Sequence, residues 1–261
     1  MTTELIIIAI FCYVDIRMSG IEKHPQAKLY PSELVTIGIL FALKGGSWEA
    51  FYRWLKRDYD ALFAGLPDES RLRRALVVHE GWCDFLLAAP SLFTVMDTYP
   101  IELIFPIRQG RSKRQLGRKG KDKGRWVIGI KLCWLLDSFG RVVEGSWAPQ
   151  GTPDKSFNRL VADLQGQTLT LADLGFRDAN GIPPNLILCT KGSPNERMVV
   201  ETAFSMITVV SHLKHLRHRV ADYLWARLAY TAALFNALYA LFHQLHPDAS
   251  PLKMSIAEFS L

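Results

Sequence analysis

The sequence predicts an α/β protein: a helical region followed by a mixed sheet flanked by helices. Three observations carry this expectation. Residues 1 to about 90 place apolar side chains at helical spacing. Beyond them, short runs of β-forming residues are closed by turn residues. Helix starts at Thr152-Pro153-Asp154 and Ser193-Pro194 stand among those runs. Hairpin strands, a helix, a strand, a further strand and a long helix make a mixed sheet. The expected division is 1–90 for the helical region and 91–261 for the sheet domain.

In the helical region, Leu34, Ile37, Leu40, Phe41 and Leu43 lie on one side of a helix. Pro31-Ser32-Glu33 starts it, with an acid at the positive end of the helix dipole, and Gly45-Gly46 stops it. A second helix begins at Trp48 and carries Phe51, Trp54, Leu55 and Tyr59. A third runs from Asp68 through Leu72 and Leu76, with Arg71, Arg73 and Arg74 on it. Short helices with aromatic and arginine faces suit a small DNA-binding bundle, and they suit a plain helical core as well.

Strands follow. Leu92 to Met96 is a short apolar run ending at Asp97. Trp126 to Leu136 and Arg141 to Ala148 read as a hairpin around Asp137-Ser138-Phe139-Gly140. Thr168 to Ala172 ends at Asp173, and Asn185 to Cys189 is another strand. The helix after Ser193-Pro194 contains Glu201. Leu224 to Leu245 reads as a packed helix, because Arg227, Asn236 and His243 interrupt a repeat of bulky apolar residues. The apolar run Leu5 to Val14 is too short to span a bilayer, which takes roughly 20 residues. It also lacks the basic start and small-residue cleavage site of a signal peptide. No membrane partner is expected.

The charge is unevenly spread. The chain of 261 residues has a formal net charge of +6. Nine of its 31 Lys and Arg fall between Arg108 and Arg125, with one of its 25 acids, Asp122. The rest therefore holds 22 bases against 24 acids. The segment 108–125 is either a phosphate footprint or a solvated loop. Four separated cysteines, Cys12, Cys83, Cys133 and Cys189, form no CxxC pair, so neither a zinc site nor a disulfide framework is indicated. A reducing, cytoplasmic setting is expected.

Three carboxylates stand out. Asp97 and Asp173 each follow an apolar strand, at the sheet ends where open α/β folds build their sites. Either could instead cap a turn. Glu201 and Arg197 share a helix face at i and i+4, with Phe204 on the adjoining side. Asp137 belongs to the hairpin turn and is the alternative first acid should Asp97 not serve. Carboxylates on three separate elements suit a pair of Mg²⁺ ions, which prefer oxygen ligands and keep several waters. Two such ions can serve an in-line displacement at phosphorus.

Val95-Met96-Asp97-Thr98-Tyr99-Pro100-Ile101 resembles the first-aspartate motif of DDE-class insertion-sequence transposases. Leu171-Ala172-Asp173-Leu174-Gly175-Phe176 resembles the second motif, with Leu174 where Lys is frequent and Phe176 where Tyr is. Arg197 to Ser205 resembles the third, in which Arg precedes the catalytic Glu by four and an aromatic-Ser pair follows. The Lys-rich stretch, Gly129-Ile130-Lys131-Leu132 and Ala148-Pro149-Gln150-Gly151-Thr152-Pro153-Asp154 resemble the intervening hairpin region. The resemblance also takes in Phe51 to Leu55 and so spreads over nearly the whole chain.

It implies an RNase H-like catalytic core over 91–261, preceded by helices over 1–90 that would bind DNA. It implies Mg²⁺ dependence (Mn²⁺ substituting), with Asp97, Asp173 and Glu201 as catalytic, metal-binding acids. The partner is double-stranded DNA, both terminal inverted repeats and target, held by a homodimer in the bacterial nucleoid. The activity is strand cleavage followed by strand transfer. Lys113, Arg114, Arg118, Lys119, Lys121, Lys123 and Arg125 would hold phosphates, joined by Arg197. A Lys expected seven residues past the catalytic Glu would fall at Thr208; Lys214, a further DNA-contact candidate, lies at least a helical turn beyond. Two rivals stay open: an RNase H-like nuclease without strand transfer, and an inactive or domesticated DNA-binding protein. His212, His215 and His218 recur at three-residue spacing, but among Lys214, Arg217 and Arg219 they read as a basic helix face rather than a metal site.

Overall fold

A computed structural model of the chain describes residues 1–122, 124–189, 201–207, 213–214, 216–250, 253–259 and 261. Two compact units emerge: residues 1–87 with 210–212 and 222–261, and residues 88–209 with 213–221.

The first unit is helical. α1 (Thr3–Arg17), α2 (Pro31–Lys44), α3 (Trp48–Tyr59) and α4 (Glu69–Val78) are joined, from the far end of the chain, by α7 (Ala221–Leu245). The starts are the ones the sequence predicts. Ser47 accepts from Ala50 N–H at 3.2 Å and Asp68 from Arg71 N–H at 3.1 Å, N-caps worth about 1 kcal/mol each. The Glu33 carboxylate accepts Tyr30 N–H at 2.6 Å, and Gly45, at φ 66°, ends α2. α2 is buried nearly all round, so it is the centre of this unit rather than an amphipathic surface helix. Gly38 lets the Tyr230 ring lie against its backbone where a Cβ would clash, and the Tyr230 hydroxyl donates to Leu76 O at 3.0 Å. Arg227 is buried and caps the end of α2: its guanidinium donates to Phe41 O and, at 3.1 Å, to Ala42 O. Burial pulls its pKa down to about 9, which leaves it charged at neutral pH against the negative end of the helix dipole. No single helix is long and apolar enough to cross a membrane among the described residues.

The second unit is a mixed six-stranded sheet with helices, the mixed α/β architecture expected. Its strands are β1 (Phe93–Ile104), β2 (Arg118–Asp122), β3 (Arg125–Asp137), β4 (Val142–Pro149), β5 (Leu169–Ala172) and β6 (Leu186–Leu188). The order is β2-β3-β1-β5-β6, with β4 also pairing β3. The β3 pairings are antiparallel; β1–β5 and β5–β6 are parallel. α5 (Asn158–Ala162) links the two halves. Residues 201–207 form helix α6; whether the helix begins at Ser193-Pro194 lies outside the described residues.

Two strands differ from the sequence reading. β1 does not end before Asp97 but runs on to Ile104, because its second half still pairs with β3. Pro100 is tolerated there because β5 pairs only with Phe93 to Val95, so no β5 ladder bond falls at Pro100. β2 was not legible: Arg-Lys-Gly-Lys-Asp shows no apolar alternation, and its pairing with Arg125 to Gly129 decides its shape. One face of the sheet buries Met96, Cys133 and Leu135 against Phe157, Val161 and Phe176. The other meets α6 through Phe204.

Candidate functional site

The parallel β1–β5 pair fixes the two aspartates. Val95 is opposite Leu171, and two residues further along each chain come Asp97 and Asp173. Asp97 sits inside β1, with Trp134 of β3 across from it, and its Oδ1 accepts Thr98 N–H at 2.7 Å. Asp173 stands just past β5, still extended at φ −79° and ψ 176°. Its Oδ1 accepts Gly175 N–H at 2.8 Å and caps a 3-10 turn, Leu174–Phe176, whose Phe176 is buried in the core. Asp173 therefore has the turn-capping role open to any Asp here, and a place beside Asp97 as well.

Glu201 is exposed on α6. Three residues on, buried Phe204 stacks on Tyr99 and on Trp134, with ring centroids 5.2 Å apart in both cases. Tyr99 shares a sheet face with Asp97, two residues away, and Trp134 is Asp97's cross-strand neighbour. α6 thus lies on the face that bears Asp97. As the side chains stand, no three His, Cys, Asp or Glu groups among the described residues close up into a metal-binding group. The donor chemistry of Asp97 and Asp173 nevertheless fits a hard cation such as Mg²⁺, which binds through one or two carboxylates and keeps its waters.

Asp154 and Lys131 belong to this neighbourhood and were given no role from the sequence. Lys131 Nζ donates to Asp154 Oδ1 at 2.7 Å and to Thr152 O at 2.9 Å. The Thr98 hydroxyl donates to the same Asp154 oxygen at 3.1 Å. The ion pair is mostly buried, with side chains 17% and 23% exposed. A Cβ on Gly175 would stand 2.8 Å from Asp154 Oδ2 and 2.9 Å from Asp173 Oδ1, so both carboxylates crowd the open side of this glycine. Burial pushes the Cys133 thiol well above its usual pKa, and the charges of Asp97 and Asp154 push it further the same way. The signal available in the sequence was Lys131 itself, a charge inside an otherwise apolar strand.

Asp137 lies in its hairpin turn, fully buried, accepting from Phe139 N–H at 3.0 Å, Arg141 N–H at 2.8 Å and Arg141 Nε at 2.7 Å.

The basic segment is a loop followed by a hairpin. Lys113 and Arg114 are exposed in the loop, Arg118, Lys119 and Lys121 lie on β2, and Arg125 opens β3. The Lys119 and Lys121 ammonium groups stand 4.5 and 5.3 Å from the ring centre of the exposed Trp126. Trp126, which charge counting passes over, gives this surface an aromatic plate. Arg125 is 4.0 Å from Glu102. Lys214 is exposed. Lys123, Arg197, His212 and His215 lie outside the described residues, and His218 is half-buried. Compared with known proteins, the chain matches no family model and no curated sequence.

Proposed function

We propose that this chain is a DDE-type transposase of a bacterial insertion sequence, acting on double-stranded DNA in the cytoplasm and nucleoid. The observation that carries the reading is the β1–β5 register: Asp97 in β1 and Asp173 just past β5 each follow the Val95–Leu171 pair by two residues. Two carboxylates so held would keep Mg²⁺, or Mn²⁺, where a phosphodiester is attacked; when bound, the metal supplies charge neutralisation at the attacking and leaving oxygens. Glu201, on the helix that packs over the Asp97 face, is the third acid. Its exposure leaves it free of the core, so a turn of its side chain toward the aspartates costs little burial. Lys131 neutralises Asp154 and so limits repulsion beside Asp173. The β2–β3 hairpin sets Lys119 and Lys121 beside Trp126, where phosphates would be held by charge and Trp126 would add a stacking face, with Arg118 on the other face of the same strand. Lys113, Arg114, Arg125, Arg197 and Lys214 complete the proposed DNA contacts, and a homodimer would bind the two inverted repeats.

The test is cleavage of a plasmid carrying the element's own ends, followed by assay for a strand-transfer product. Joined product in Mg²⁺ supports the transposase; nicks without joining support an RNase H-like nuclease. DNA binding with no cutting in Mg²⁺ or Mn²⁺ supports an inactive DNA-binding protein. One feature favours that last reading: Asp173 already serves as a turn cap.

A further inference from the structure

The loop that leaves β1 builds a second site. Residues 105–117 fold back on themselves: Arg108 N–H donates to Phe105 O at 2.8 Å and Gly110 N–H to Gln115 Oε1 at 2.7 Å. The chain near residue 216 closes on the same strand end. Glu102 N–H donates to Lys214 O at 3.1 Å, and Leu216 N–H to Glu102 O at 3.0 Å. The Arg217 guanidinium lies 4.0 Å over the Phe105 ring and 3.9 Å from Glu102 Oε1. Together they enclose a cleft of ≈ 330 Å³, lined by Arg108, Arg111, Arg114 and Arg219 with Ile104 and Leu116 as apolar wall. No Asp or Glu lines it among the described residues.

Four guanidinium groups facing one concavity repel one another unless an anion joins them. Arg217, next door, already has Glu102; none of the four lining arginines forms an ion pair among the described residues. The guanidinium fork matches phosphate oxygens two at a time. A duplex backbone is convex and offers one charge per phosphate, which the exposed lysines of β2 can meet. A concave site with four forks better matches a phosphate monoester or polyphosphate, a monoester carrying about two charges at neutral pH. The volume is near the low end of small-ligand pockets. Ile104 and Leu116 supply a surface for a sugar or base edge.

We propose that this cleft binds one nucleotide unit through a terminal phosphate. The inference rests on the DNA-processing reading only for one of two sources of that group, the 5′-phosphorylated end of a strand; the other source is a free nucleoside polyphosphate.

The experiment is fluorescence polarisation on the full chain, with a short single-stranded oligonucleotide labelled at its 3′ end, made with a 5′-phosphate or a 5′-hydroxyl. The phosphorylated probe should bind about tenfold more tightly. The difference should vanish in Arg111→Ala/Arg219→Ala. Should that variant melt early, Arg111→Lys/Arg219→Lys, which keeps both charges and loses both forks, should still shrink the difference. Equal binding of the two probes, with displacement by a deoxynucleoside triphosphate in the parent but not in the variant, assigns the cleft to free nucleotides. No 5′-phosphate preference and no competition by triphosphate overturns the proposal. Plasmid cleavage run alongside separates the two readings: cleavage with an indifferent cleft sinks only this inference, and a 5′-phosphate preference without cleavage sinks only the transposase.

Discussion

Phe204 lies nearly flat on Trp134, ring planes 15° apart, and Trp134 is the residue opposite Asp97 in the β1–β3 register. One aromatic contact therefore fixes the helix of the third candidate acid to β3, beside the first acid on β1. Phe204→Ala should cost about 3–5 kcal/mol in denaturant unfolding, by removing a buried ring from two stacked partners. Phe204→Leu should cost less. If both unfold like the parent, α6 is not anchored by this contact.

Asp173→Asn keeps the turn cap, because an amide oxygen still accepts Gly175 N–H, while removing one negative ligand. Plasmid cleavage should fall by orders of magnitude with little change in melting temperature. Asp137→Asn should do the reverse. It weakens a buried pair with Arg141 and costs roughly 1–3 kcal/mol, yet leaves cleavage by the folded fraction intact. A swap of these two phenotypes would move the site away from Asp173.

Gly175→Ala puts a methyl 2.8 Å from an oxygen of the Asp154 carboxylate and 2.9 Å from one of the Asp173 carboxylate. One of them must shift, so cleavage should drop sharply. Stability should fall by roughly 1–3 kcal/mol, in the range of overpacking. Wild-type turnover in this variant would show that the spacing of the two acids does not matter.

Lys119→Ala/Lys121→Ala removes two charges from β2. The slope of log affinity against log salt for duplex DNA should flatten by nearly two units, at roughly 0.9 per phosphate contact. An unchanged slope, with the protein folded, would leave the hairpin as a bystander.

Glu80 lies in the helical unit, and burial raises its pKa while a hydrogen bond with Trp225 opposes the shift. A carboxyl with a raised folded pKa binds its proton more tightly folded than unfolded. Its ionised form is then a cost at neutral pH, relieved as pH falls through the raised value toward the ordinary one. Glu80→Gln should therefore raise the melting temperature slightly at pH 7, and the gain should fade by about pH 4. A gain independent of pH would contradict this assignment.

Much of the fold was legible where local chemistry agrees with packing. Pro31, Ser47, Asp68 and Gly45 mark helix ends by their own caps, and the turn at Asp137 is written in its side-chain bonds. β2 was hidden because a strand of Arg, Lys and Gly depends on its partner rather than its own pattern. Asp97 was read at a strand end because its apolar run stops there, whereas backbone pairing with β3 does not. At the site, the motifs located Asp97 and Asp173 along the chain, but the Lys131–Asp154–Thr98 contacts join residues 23 and 56 positions apart. No short-range spacing reports such contacts.

Arg227 satisfies carbonyls at the end of α2 from a helix that follows the whole sheet unit in the chain, 186 residues after Phe41. A ribosome adding about 5–20 residues per second would emit the whole sheet unit before α7 became available. During that interval the side of α2 that Tyr230 and Arg227 cover stays open, while α1, α3 and α4 cover the rest. Any product truncated upstream of Ala221 keeps that side of α2 uncovered and should be prone to association through it.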